Sequence, residues 1–202
     1  MITIYKLFPK HLNLNGDAEN ADILATRLEW AGVAHRLEEV VDEQGLEACI
    51  QAIAQVPTNA IVVIGHGSKA ALKELETHAI QIDRLFETML SADVPGIVVG
   101  SGLSMIKRFT GSGERSSRAY TLNLDIGGWP TQAIGYLNSN TTDPLVRVER
   151  NAILTHLHGP FLAKNQDWAT ELIRRAGAEL QASEKAELAE GHLAKIRAMP
   201  QD

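Results

Sequence analysis

Cysteine is nearly missing from this chain of 202 residues, with Cys49 its single example. A lone thiol excludes an intramolecular disulfide and fits a reducing compartment. No apolar run approaches the roughly 20 residues that cross a bilayer. Met1-Ile2-Thr3-Ile4 opens straight into strand-like alternation, with neither a basic nor an apolar segment of secretory type. Together these absences predict a cytoplasmic protein without a membrane span. Basic excess is also lacking: the net charge is −6, whereas a phosphate-binding surface needs clustered Lys and Arg. The only basic grouping, Arg108, Arg115 and Arg118, is interrupted by Gly111, Ser112 and Gly113 and reads as a solvated loop. Nucleic acid is therefore not an expected partner.

Nucleotide motifs are missing as well. Gly65-x-Gly67 is followed by Ala70 where a dinucleotide fingerprint needs its third glycine, and no P-loop occurs. No internal repeat and no linker divides the chain.

What remains is ordinary for a globular protein, with 45% hydrophobic and 22% charged residues. The length suits one α/β domain with a buried core. Strand-like and helical segments alternate through the first half. Ile2, Ile4 and Leu7 mark a strand, and a helix capped by Asn20 runs to Gly32. Ala34 to Val41 is a second strand. Leu46, Cys49, Ile50 and Ile53 form the i, i+3, i+4, i+7 stripe of a buried helical face. Ala60 to Ile64 and Gly96 to Val99 read as parallel strands covered on both sides. Between them, Leu72, Leu75, Ala79, Ile82, Phe86 and Met89 predict one long helix. The second half is richer in short strands: Tyr120 to Leu124, Ala133 to Tyr136, Leu145 to Val148 and Ala152 to Leu154. A helix carrying Trp168, Leu172, Ile173 and Ala176 follows, and past Gly177 a terminal helix or tail. The expected fold is a flavodoxin-like, doubly wound α/β sheet over residues 1–178, with 179–202 as an appendage.

Ligands of such sheets bind at the carboxyl ends of the strands. Two glycine turns fall there, Gly65-His66-Gly67-Ser68 and Gly100-Ser101-Gly102. Their backbone N–H groups can approach a ligand or a developing oxyanion. A glycine after a strand also simply makes a tight turn. His158, in His-Gly-Pro after a strand-like segment, is the best general-base candidate. His66, His156 and His158 lack an accompanying carboxylate or cysteine at metal-ligand spacing, so no metal is expected, and no cofactor. Val98-Val99-Gly100-Ser101-Gly102-Leu103, a strand entering a helix through Met105 and Ile106, has the form of a nucleophile turn. It contains no thiol. Ser101 with His158 is the alternative pair, although Val99 and Leu103 stand where a serine elbow has its outer glycines.

Asn13-Leu14-Asn15-Gly16-Asp17-x-x-Asn20, continuing to Leu28-Glu29-Trp30-Ala31-Gly32, is similar to the "NLYGDxxN … EWRG" signature of one branch of the class I glutamine amidotransferases. That branch is cobyric-acid-synthase-like and includes the glutaminase subunit of lipid II isoglutaminyl synthase. Thr155-His156-Leu157-His158-Gly159-Pro160-Phe161-Leu162-Ala163-Lys164-Asn165 resembles its "TYLHGPLLPKN" segment. With the two glycine turns, the resemblance spans residues 1–178. It implies that His158 corresponds to the catalytic histidine. Gly65, Gly67, Gly102 and Asn138 would correspond to oxyanion or substrate-binding positions. Gly100 would stand at the nucleophile position.

The departures cluster at the same pocket. Gly100 replaces the cysteine, Leu137 and Ser139 replace a Glu and a His, and Ser68 and Lys69 replace a Gln-Asp. A glycine has no side chain to form a thioester, so the resemblance implies a relative that has lost glutamine hydrolysis. The implied partner is a Mur-ligase-like synthetase acting on a cell-wall precursor, and the implied ligand is glutamine or a related small molecule. An active hydrolase or amidotransferase using Ser101 and His158, or a stand-alone binding module, remains open at this point.

Overall fold

The computed structural model describes residues 1–109, 116–181 and 183–197. Six strands form the main sheet in the order β2-β1-β3-β4-β8-β7. They are β1 (Ile2–Leu7), β2 (His35–Val40), β3 (Ala60–Ile64), β4 (Gly96–Val99), β7 (Val146–Glu149) and β8 (Ala152–Thr155). The first five in space are mutually parallel, and only the edge strand β7 runs antiparallel, against β8. Counting parallel strands alone, this is the 2-1-3-4-5 order of a flavodoxin-like doubly wound sheet. A second, antiparallel sheet joins β5 (Ser116–Asn123), β6 (Gln132–Ser139) and β9 (Leu157–His158).

The continuous apolar runs of β3 and β4 follow from burial on both faces. Val62, Ile64 and Val98 face a layer made by α2 (Glu43–Gln55) and α4 (Ala79–Ser91), with Cys49, Ile53, Phe86 and Met89 at its centre. Ile61, Val63, Ile97 and Val99 face the opposite layer, built on α1 (Asn20–Trp30) and α7 (Gln166–Arg175), where Trp168 is fully buried. The Cys49 stripe is therefore core, as its periodicity predicts. Asp42 caps that helix by accepting the Gly45 amide at 2.7 Å.

Several local expectations are corrected. The long helix after β3 is three pieces: α3 (Lys69–Glu74), a 3-10 turn (Leu75–His78) and α4. Leu75 is buried at the break and the His78 ring stacks on Phe8, at 5.3 Å between centroids, so tertiary contacts redirect a chain with no helix-breaking residue. Asn20 is not a cap. It is the first residue of α1, and its side chain instead donates to the Asp17 carbonyl and accepts the Leu162 amide. The helix after β4, α5 (Gly102–Met105), is a single turn that ends before Ile106.

Two members of the basic grouping are engaged within the protein. Arg108 is ion-paired with Glu87 and Glu149, and Arg118 lies on β5 over the Tyr120 ring. Arg115 and the Gly111 to Gly113 stretch lie outside the described residues. Beyond α6 (Phe161–Lys164) and α7, the helix α8 (Glu184–Arg197) packs against α1. Among the described residues no helix is long and apolar enough to cross a membrane.

Candidate active site

The site is assembled where β3, β4 and β9 end, around a cleft of about 640 Å³. Its lining includes Leu14, His66, Lys69, Ser101, Phe109 and His158. Gly65 and Gly67 hold the turn after β3 against the loop that follows β1. A Cβ on Gly65 would stand 1.9 Å from the Leu12 carbonyl oxygen, so no larger residue fits this crossing. Gly65 and Gly102 do not line the cleft. They are packing positions, with the first turn of α5 seated on the Gly65 carbonyl. Gly67 and Asn138 do line it.

His158 is where a general base belongs. It is 2% exposed, and its Nδ1 lies 2.8 Å from Oδ2 of Asp17, which is fully buried. The second carboxylate oxygen of Asp17 accepts the Gly159 amide at 3.0 Å, so one side chain fixes both the ring and its loop. Nδ1–H donates to the carboxylate, so that in the neutral ring the lone pair is on Nε2. Asn13 supports this arrangement by accepting the Ala18 amide, and Asn20 ties the Asp17 turn to Leu162. The part of Asp17 is not legible from the residues alone, because 141 positions separate it from His158. The only sequence signal is its place within the Asn13 to Asn20 pattern.

The edge of His158 carrying Cε1 faces Gly100. That residue has φ +55, the left-handed conformation that favours glycine, and a Cβ there would sit 2.5 Å from His158 Cε1. The turn is thus aimed at the imidazole but carries nothing to present to it.

Ser101 does not take over. Its hydroxyl donates to the Gly67 carbonyl at 2.9 Å and accepts the Gly67 amide at 3.0 Å, so its hydrogen bonds tie the two glycine turns together. Among the described residues the Ser101 hydroxyl makes no hydrogen bond to His158, the alternative pairing considered from the sequence. Cys49 is no substitute, since it is buried in the core on α2, it does not line the cleft, and burial pushes its thiol up to about 12.

His66 and His156 complete the cleft. Nδ1 of His66 accepts the Ser101 amide at 2.9 Å, and its ring centroid is 4.4 Å from that of His158. Burial first, then the neighbouring His158, lowers His66 to about 4, against a smaller opposing effect of Asp17. His66 is accordingly neutral at pH 7, with its hydrogen on Nε2. His156 is likewise lowered to about 4, chiefly by burial. Its Nδ1 and the Ser139 hydroxyl are buried in the cleft wall without a hydrogen-bond partner. Among the described residues no group of three or more His, Cys, Asp or Glu is placed to hold a metal ion.

No protein-family model and no curated protein matches this chain. Among solved structures it is similar to a glutamine amidotransferase from Thermotoga maritima, at 13% identity and a TM-score of 0.48, over 98% of this chain and 86% of that one. A likeness that distant leaves the chemistry of the site to be argued from its own residues.

Proposed function

We propose that this chain is a glutamine-amidotransferase-like subunit that does not hydrolyse glutamine. The observation that carries the reading is the Asp17–His158 pair directed at Gly100, a base and its orienting carboxylate facing a turn without a nucleophile. In a cysteine amidotransferase the thiol attacks the glutamine carboxamide, a histidine accepts the thiol proton, and backbone amides stabilise the tetrahedral oxyanion. Here no bond to the substrate carbon has an atom to form it. Removing the nucleophile from a comparable triad lowers kcat by about a million-fold. The amides of Ser101 and Gly67 are also both engaged within the protein, which leaves an oxyanion without its donors.

The N-terminal and His158 segments match the motifs of the cobyric-acid-synthase-like branch, which supports extending the proposal to a partner. We take that partner to be a Mur-ligase-like synthetase amidating a cell-wall precursor, with this chain keeping the docking role and a cleft for glutamine or a related small molecule. Ammonia release from glutamine by the purified chain, alone and with its synthetase, is the test. Turnover comparable to a cysteine amidotransferase, abolished by His158→Ala, would overturn the proposal. A pull-down that recovers no synthetase would leave a stand-alone binding module as the better description.

A further inference from the structure

We infer that His66 is an internal plug, whose imidazole fills the place of a nucleophile at residue 100 and holds the backbone amide that would otherwise bind an oxyanion. This rests on reading the Gly100 turn as a nucleophile turn, and goes beyond it by naming what now fills the site. A Cβ on Gly100 would stand 2.7 Å from His66 Nδ1 and 3.1 Å from His66 Cγ. Carbon contacts are comfortable only from about 3.5 Å, so a side chain at residue 100 and the His66 ring compete for one volume. His158 cannot give way, because Asp17 grips both its ring and the following amide. Among the described residues the His66 ring has one hydrogen bond, the one it accepts from the Ser101 amide at 2.9 Å.

That hydrogen bond is the second half of the inference. The Ser101 amide follows the nucleophile position and points into the gap between the two turns, the geometry of an oxyanion donor. A buried amide without an acceptor keeps its desolvation penalty uncompensated. The Nδ1 lone pair of the neutral imidazole removes that penalty and stands in for the oxygen anion. The Gly67 amide is satisfied in parallel by the Ser101 hydroxyl. Glycine at 100 and histidine at 66 therefore form a coupled pair: the small residue makes room for the ring, and the ring seals what the small residue leaves open.

The test is a double-mutant cycle on the full chain. Gly100→Cys should lower Tm by roughly 5 °C. Adding His66→Ala to it should lower Tm by less than His66→Ala does in the unaltered chain, because the side chain at residue 100 gains the room the ring vacates. Its contact with His158 Cε1 persists in both variants. The thiol installed at position 100 should react with iodoacetamide at pH 6 at least tenfold faster in the double variant than in the single one, with peptide masses separating it from buried Cys49. Additive Tm changes, or equal alkylation rates, would overturn the plug. Should Gly100→Cys fail to fold, His66→Ala in the otherwise unaltered chain decides. Exchange of the Ser101 amide hydrogen should then accelerate at least tenfold, and an unchanged rate sinks the inference. None of these readouts involves glutamine, so ammonia release by the unaltered chain would overturn the proposed function while leaving the coupling intact, and additive Tm changes would do the reverse.

Discussion

Asp17 meets His158 at 2.8 Å across 141 residues of sequence, in a pocket wall from which water is excluded on the carboxylate side. A carboxylate so placed is costly unless its hydrogen bonds are made. Here the imidazole and the Gly159 amide make them. The pair is a structural clamp whether or not any chemistry survives at the cleft.

Replacing Asp17 by Ala should therefore destabilise the chain by about 3–5 kcal/mol, the cost of breaking a buried pair and stranding its donors. Urea unfolding of the variant measures this. A loss below about 1 kcal/mol would mean that the clamp is not formed in solution.

Stability should fall on acidification through the range set by the two depressed histidines. His66 and His156 titrate near 4 in the folded chain and near 6.5 when unfolded. Between those values the unfolded state holds more protons, so the stabilisation is complete above pH 6.5 and is lost as pH drops toward 4. Each histidine contributes a slope of up to about 1.4 kcal/mol per pH unit. His156→Phe should flatten the measured slope by roughly one histidine's share, and an unaltered slope would show that His156 is not buried neutral.

Ser101 should behave as a tie and not as a nucleophile. Ser101→Ala should cost about 1–2 kcal/mol in denaturant unfolding, because the Gly67 amide loses its acceptor. A fluorophosphonate incubated with the unaltered chain should leave its intact mass unchanged. Stoichiometric labelling at Ser101 would restore the serine-hydrolase alternative.

Gly65 should tolerate nothing larger. Gly65→Ala places a carbon 1.9 Å from a backbone oxygen, which no rotamer relieves. We expect a loss of about 3 kcal/mol or more, above the usual range for overpacked side chains, because here the backbone must move. Circular dichroism during thermal unfolding reports it.

Periodicity and composition alone determined the layers of this protein. The unbroken apolar runs of β3 and β4 require cover on both faces, and the stripe containing Cys49 requires a core, because burial of apolar surface depends on local spacing that a single segment displays. The glycine turns and His158 could be singled out for the same reason: each stands at the end of a recognisable strand. Tertiary structure alone decided what those positions do. It brought Asp17 to His158, spent the Ser101 hydroxyl on Gly67 and drew the His66 ring over Gly100, contacts spanning 34 to 141 residues. It also broke the helix after β3 at Leu75, where core packing outweighed a helical pattern without a breaker. Such pairings depend on distances in space between distant segments, and no local pattern of residue types encodes a distance.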